Sequence, residues 1–391
     1  MAETIRLYDK DAYSRDFEGE VISCLKEDKE GTTVYQIVLD QTLFFPEEGG
    51  QSPDKGTIDG IVVLDVQTKD GVITHTLEAP LQVGQKVHGH VDEEHRFNNM
   101  QQHSGEHIFS GLVHNEYGYN NVGFHLSDQI VTMDFDGVLS AEQAAAIEEK
   151  ANAVITRNVP IEVSYPSKEE LSKLDYRSKI EIDGQVRIVT IPGVDVCACC
   201  APHVRFTGEI GMLKIMSIQN YKGGVRISIL CGFRALKDYR QRLQVITQLT
   251  TLLSSNQEAL VENVAKLKDG NQAMRQELNI ARQEYMLAKA EQIPTEQADV
   301  VLFEKGADAN AMRNTVNMLV EKHSGVCSIF AGSSDEGYRF IIGSKSVDVR
   351  KVMEALKQEC NARGGGSAAM VQGSVTADET AIKALLTSVP N

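Results

Sequence analysis

Residues 97–118 read FNNMQQHSGEHIFSGLVHNEYG, and the reading of the whole chain turns on them. Up to this stretch the pattern has period two. Within it the period becomes helical, so a helix follows a β-rich segment. Residues 20–94 supply that segment. The runs EVISCLKED, TTVYQIVLDQTLFF, DKGTIDGIVVLDVQ, VITHTLE and KVHGHVD are rich in Val, Ile and Thr, with Gly, Asp and Pro punctuating them. Spacing and turns of this kind suit a small barrel.

On the other side, residues 129–135 read as a strand. Residues 140–157 read as a helix capped by Ser140, with Gln143 at the capping-box position. Residues 160–233 return to strands and loops around a group of cysteines. Residues 236–288 differ. Steps of three and four link Leu236, Tyr239, Leu243, Ile246, Thr250, Leu253, Gln257, Leu260, Val264, Leu267, Asn271, Met274, Leu278, Ala281, Tyr285 and Ala288 in a heptad seam that no proline interrupts. Such a seam packs either as a hairpin on its own chain or against a second copy. Asp269-Gly270 and the polar Gln257 and Asn271 are the places for a bend or for fixing register. Pro294 ends this segment. Residues 299–389 read as an α/β domain that includes Arg363-Gly364-Gly365-Gly366. The expected divisions are 1–95, 96–233, 234–293 and 294–391.

The 391 residues are 42% hydrophobic and 24% charged, a globular balance that excludes wholesale disorder. The charged start, MAETIRLYDKDAYSRDFEGE, lacks the apolar stretch of a secretory signal. No apolar run approaches the ~18 residues of a transmembrane helix. Seven cysteines, three of them crowded at Cys197, Cys199 and Cys200, point to a reducing, cytoplasmic setting and a metal site rather than a disulfide framework. The net charge of −16 counts against a polyanionic partner. Its distribution restores that possibility. Residues 1–230 carry 20 Lys and Arg against 36 Asp and Glu, whereas residues 231–391 carry 19 of each. A polyanion would meet the C-terminal part more easily.

The sharpest chemical signal is two pairs at i, i+4. His103 and His107 project from one face of the expected helix. Cys199 and His203 follow in CCAPH. Three imidazoles and a thiolate suit tetrahedral Zn²⁺. Cys197 and Cys200 compete with Cys199, but only Cys199 has the spacing to His203; the other two read as packing residues or reserve thiols. HSGEH is not the metalloprotease H-E-x-x-H, so Glu106 reads as solvent-facing. His125 has some claim to line a pocket; otherwise it and His88, His90, His95 and His114 read as surface or ordinary hydrogen-bonding groups. Four protein ligands usually make a closed structural site, whereas a displaceable one leaves room for an activated water; both geometries stay open. Phe44-Phe45-Pro46-Glu47-Glu48-Gly49-Gly50-Gln51 follows a strand, and its glycines allow close approach of backbone to a ligand.

Taken together, these motifs resemble the alanyl-tRNA synthetase editing family in its freestanding form. DQTLFFPEEGGQSPDKGTI resembles the family's barrel motif, RFNNMQQHSGEHIFSGLV its His-x3-His helix, and VDVCACCAPHVRFTGEIGMLKI its Cys-x3-His element. NARGGGSAAMVQGSV resembles the glycine-rich end of a DHHA1 domain. Their order and spacing make the match specific. Two departures stand out: Glu48 replaces the first of three glycines, and Cys-Cys-Ala-Pro-His replaces the usual Cys-Gly-Gly-Thr-His.

The resemblance implies an α+β protein. It would have a small N-terminal β-barrel, a zinc-containing editing core, a long coiled-coil-like helical segment and a C-terminal α/β DHHA1-type domain. It implies a trans-editing hydrolase, without an ATP-dependent aminoacylation domain, that cuts the ester of mischarged tRNA(Ala), chiefly seryl and also glycyl. The implied zinc ligands are His103, His107, Cys199 and His203. Thr42 would recognise the serine hydroxyl, and Gln51 would line the pocket. Arg363, Gly364, Gly365 and Gly366, with Lys345, Arg350, Lys351 and Lys357 nearby, would meet the tRNA, and the helical segment and C-terminal domain could pair two copies. The competing readings are a non-catalytic tRNA-binding protein with structural zinc and a metallohydrolase acting on another ester.

Overall fold

The Val- and Ile-rich runs of the N-terminal segment form strands that turn alternate residues inward. The structure, a computed structural model, describes residues 2–29, 31–178 and 184–388. Strands β2 (Asp16–Lys29), β3 (Thr32–Leu39), β5 (Gly56–Ile58), β6 (Ile61–Lys69), β7 (Val72–Leu77) and β8 (Lys86–Val91) close into an antiparallel barrel in the order β2-β3-β7-β6-β5-β8. Beside it, β1 (Ile5–Arg6) runs parallel to β4 (Gln41–Thr42). Ile37, Phe44, Phe45, Ile58, Val66, Ile73 and Leu77 fill the interior without exposure. In β8 the alternation is complete, with Val87, Gly89 and Val91 buried and Lys86, His88 and His90 outside.

Helix α1 (Glu93–Tyr117) leaves the barrel directly. Asp92 caps it by accepting from the His95 N–H at 3.0 Å, and Gly118 ends it in the left-handed conformation. The helix is buried over most of its length because a second core surrounds it. Strands β9 (Asn121–Leu126), β10 (Val131–Phe135), β14 (Leu213–Tyr221) and β15 (Gly224–Cys231) form an antiparallel sheet in the order β14-β15-β10-β9. Helix α2 (Ala141–Arg157) starts at the capping box of Ser140 and Gln143. A smaller sheet follows from β11 (Glu162–Ser164), β12 (Ile188–Ile191) and β13 (Asp195–Ala198), with the single turn α3 (Lys168–Leu171) between its first two strands. Ile108, Phe109 and Val113 of α1 pack with Met133, Ile147, Val154, Ile227 and Ile229. The helix lies so close to β15 that a Cβ at Gly105 would sit 2.3 Å from Cys231 Sγ.

Arg96 locks α1 to the barrel. Its guanidinium is 4% exposed and faces Asp54, 2% exposed. Nε lies 3.0 Å from both Asp54 carboxylate oxygens, Nη2 also meets that carboxylate, and the remaining N–H groups donate to Leu43 O at 2.5 Å and Ala12 O at 3.0 Å. Asp54 accepts in addition from the Phe45 N–H at 2.6 Å.

The chain forms two compact units, Met1–Ile246 and Thr247–Asn391. The heptad stretch is not one helix. It is α4 (Gly232–Leu252) and α5 (Leu260–Glu291). The break falls at the polar run 254–257, where Ser254 is left-handed (φ 47°) and Asn256 Oδ1 accepts from the Ala259 N–H at 2.9 Å. The helix runs on through Asp269-Gly270, since one exposed helical glycine costs only about 1 kcal/mol. In the second unit, β16 (Val300–Glu304), β17 (Cys327–Ser333), β18 (Gly337–Gly343), β19 (Arg363–Gly366) and β20 (Met370–Val375) form a sheet in the order β16-β17-β18-β20-β19. Helices α5 and α6 (Ala309–Lys322) cover one face, and α7 (Arg350–Glu359) and α8 (Glu379–Ser388) the other. Among the described residues, no helix is long and apolar enough to cross a membrane.

Removing one partner of a buried pair strands the other. Arg96→Ala should therefore destabilise the first unit by about 3–5 kcal/mol, measured by denaturant unfolding. A loss under about 1 kcal/mol would show that the pair does not hold the helix.

Candidate metal centre

Four side chains from two elements converge beneath the barrel. His103 and His107 come from successive turns of α1, and Cys199 and His203 from the loop after β13. One donor atom from each lies within 4.8 Å of all the others. Cys199 Sγ is 3.5 Å from His103 Nε2 and 3.4 Å from His203 Nε2. The cysteine loop is placed by packing, because Cys199 touches both the barrel core and the core around α1.

The outer side of each ring is held by a partner. His103 Nδ1 donates to Gln51 Oε1 at 2.7 Å, and His107 Nδ1 to Asp195 Oδ2 at 2.8 Å. His203 Nδ1 meets the Ser104 hydroxyl at 3.0 Å. With the proton on Nδ1, each Nε2 lone pair points into the cluster, which is the orientation metal-binding imidazoles take. Arg177 in turn grips Asp195 through Nε at 2.7 Å and Nη2 at 2.9 Å.

Burial raises a thiol, yet the imidazoles of His103, His203 and His107 hold Cys199 well below its ordinary value. Burial pushes Cys197 up to about 11. Cys200 also rises, through burial, the charge of Cys199 and the neighbouring Glu48. The thiolate is thus favoured at the cysteine that groups with all three histidines. His107 also lies near Asp195 and Cys197, but Asp195 is occupied by Arg177 and by the His107 Nδ1–H. The donor set and its convergence fit a zinc ion held by His103, His107, Cys199 and His203.

The barrel loop closes over this cluster. Gln51 is fully buried, and Gly50 O accepts from the Leu126 N–H at 2.7 Å. Gly50 has a positive φ of 84°, and a Cβ there would lie 2.4 Å from Phe124 O. The Phe124 ring is itself 4.8 Å from that of His103. A cleft of about 780 Å³ beside the loop is lined by Glu48, Gly49, Gly50 and His125.

Thr42 is fully buried in the barrel. Its hydroxyl accepts from the Phe44 N–H at 3.0 Å and pairs with His75 Nε2 at 2.9 Å. Glu106 does not face solvent. It is buried, and its Oε1 accepts from Ser110 Oγ at 2.6 Å and Asn121 Nδ2 at 2.5 Å. Helix α1 is enclosed on all sides here, which its local pattern does not reveal. Arg363–Gly366 is an exposed strand at the edge of its sheet. Lys345 is paired with Glu321, and Arg350 with Asp348 at 2.5 Å. Asp195, Arg177 and Ser104 have no sequence signal of their own, because their partners lie far away in the chain.

Comparison with known proteins relates three stretches of the chain to synthetase domains. Residues 8–95 match the model of class II (A) tRNA synthetases, residues 186–228 that of the threonyl and alanyl tRNA synthetase second additional domain, and residues 296–389 that of the DHHA1 domain. Fold and site thus define a protein built from synthetase parts. The chain is 33% identical to the alanyl-tRNA editing protein Aarsd1-B of Xenopus laevis, over 68% of each chain. It is 29% identical to Aarsd1 of Rattus norvegicus over 95% of this chain and 94% of that one, and 26% identical to AlaX-L of Pyrococcus horikoshii over 95% of both. It belongs to the alanyl-tRNA editing proteins.

Two outcomes check the site. Asp195→Asn should weaken zinc binding about 10–100-fold in chelator competition, since it loosens His107 without removing a ligand. Burial lowers His75 to about 4, so it is neutral in the fold. An unfolded histidine takes up its proton near pH ~6.5. This residue's contribution is therefore complete above pH ~6.5 and declines as pH falls toward 4. His75→Gln should remove up to about 3 kcal/mol of the stability change between pH 7 and 4, read by urea titration.

Proposed function

We propose that the protein hydrolyses the ester of mischarged tRNA(Ala), chiefly Ser-tRNA(Ala) and also Gly-tRNA(Ala), in the cytoplasm. The observation that carries this reading is the buried set of three imidazoles and one thiolate, each imidazole oriented through Nδ1, in a chain of this family. His103, His107, Cys199 and His203 would hold zinc, which when bound supplies positive charge to polarise the ester or its attacking water.

The chain's own groups supply the rest. Gln51 uses Oε1 to orient His103, and its buried Nε2 has no hydrogen-bond partner among the described residues. An unpaired buried amide is a donor in search of an acceptor, and a substrate oxygen satisfies it. Asp195, held by Arg177, keeps the Nδ1 proton of His107 in place. Thr42 gives its proton to His75 Nε2 when His75 donates through Nδ1 to Ile37 O. It accepts from the Phe44 N–H and keeps one lone pair for a serine hydroxyl. An apolar pocket separates seryl from alanyl esters poorly, whereas a site built to bond the hydroxyl discriminates by roughly 10⁴–10⁵.

The second unit would hold the body of the tRNA, with Arg363–Gly366 as the edge strand along which a backbone can lie close. The apolar side chains left exposed on α4 and α5, among them Leu252, Val261, Leu267 and Met274, support self-association through the helical segment.

The deciding experiment measures deacylation of Ser-, Gly- and Ala-tRNA(Ala) with and without chelator. Hydrolysis of the first two, lost on zinc removal, is expected. Retained zinc without hydrolysis would make the metal structural. Thr42→Val should reduce the Ser/Ala ratio of kcat/KM at least about tenfold while zinc content stays full; an unchanged ratio removes Thr42 from recognition.

A further inference from the structure

One surface of the first unit has no role in the chemistry above. A groove of about 670 Å³ is lined by Lys55, Asn98, Asp128, Phe233, Arg234 and Lys237, among others. It shares Lys55, Asp128 and Gln129 with the cleft that passes Gly49, Gly50 and His125 beside the metal cluster. The two depressions therefore adjoin in one trench, and its far part is lined by the Gly49-Gly50 loop that leads into Gln51, with Gly49 close to Cys200 Sγ.

Phe233 is 58% exposed, yet its ring is anchored. Its centroid lies 6.4 Å from that of Phe97, which lies 6.3 Å from that of Tyr13, and the Arg205 guanidinium caps Tyr13 at 4.3 Å. A large apolar ring left in water but held by packing on one side offers its free side to a flat partner. Three of the groove's four acidic residues are already engaged. Asp128 pairs with Lys55 at 2.5 Å, Asp238 with Arg242 at 2.5 Å, and Asp92 caps α1. Lys237 has no carboxylate partner among the described residues.

We propose that this trench carries the single-stranded 3′ end of the aminoacyl-tRNA, with one base stacked on Phe233 and a neighbouring phosphate facing Lys237. The inference rests on the deacylation reading. An ester at the end of an unpaired strand reaches a buried donor set only if that strand is guided in. A chain segment with net charge −16 over its first 230 residues cannot guide it by charge alone. Stacking supplies a grip that is independent of sequence and little affected by the surrounding acidity.

The test uses the full-length zinc-loaded protein with Ser-tRNA(Ala) and with the seryl ester of adenosine, which lacks the strand. Phe233→Ala and Phe233→Leu should raise KM for the tRNA relative to KM for the adenosine ester by roughly five- to a hundredfold, the range of one lost base stack. Phe233→Tyr should restore it. Leucine keeps apolar area without the ring face, so it separates stacking from burial. Lys237→Glu should raise KM for the tRNA and lower the salt dependence by about one phosphate contact. An unchanged KM ratio in Phe233→Ala, or full function in Phe233→Leu, overturns the proposal. If the wild type hydrolyses neither substrate, the deacylation reading fails. The trench is then judged by binding of a fluorescent CCA-ended oligonucleotide, where equal affinity of wild type and Phe233→Ala overturns it.

Discussion

The buried pair of Arg96 and Asp54 joins the helix that carries two of the donors to the barrel loop that covers them. Arg96 stands two turns before His103 on the same helix, and Asp54 stands three residues after Gln51 on the barrel loop. One ionic contact thus ties the helix that carries two candidate ligands to the loop that carries the partner of the first. Taking both charges out of water is costly, and Coulomb attraction alone does not offset that cost. The geometry works because the remaining donors and acceptors are satisfied. Arg96 also reaches the carbonyls of Leu43 and Ala12, and Asp54 also takes the Phe45 N–H. The pair therefore acts as a register pin between two separately filled cores.

The same logic of double engagement runs through the cluster. Each histidine is held from behind, by Gln51, Asp195 or Ser104, and those partners are held in turn by the cores or by Arg177. What faces inward is an array of lone pairs and one low-pKa thiol. Such an array is repulsive by itself, and only the rigidity around it keeps the donors together. The glycine at position 50 serves the same end, since any side chain there would push the loop off Phe124 and draw Gln51 away from His103.

Much of this is legible in the chain. The change of period at residue 97, the i, i+4 spacing in HSGEH and CCAPH, and the capping box at Ser140 are local signals, and local geometry expresses them. The points where pattern and structure part have a common cause. Glu106 reads as solvent-facing because a single helix does not reveal how many of its faces are covered. The heptad seam reads as continuous because apolar spacing survives a break. The polar run 254–257 ends the helix by backbone bonding that periodicity does not register. Asp195 and Arg177 are silent because a carboxylate acquires meaning only when a distant imidazole is brought to it.

Sequence by itself determined which residues could bind a metal, since ligand chemistry and helical spacing are properties of residue type and local backbone. It also determined that a helix follows the β-rich N-terminal strands. Tertiary structure decided which nitrogen each ring presents, and that Gln51 lies behind His103 while Thr42 lies on His75. Those choices depend on packing between segments up to about a hundred residues apart, as Cys199 and His103 are. No local pattern encodes a contact of that range; the two filled cores and the ion pair between them do.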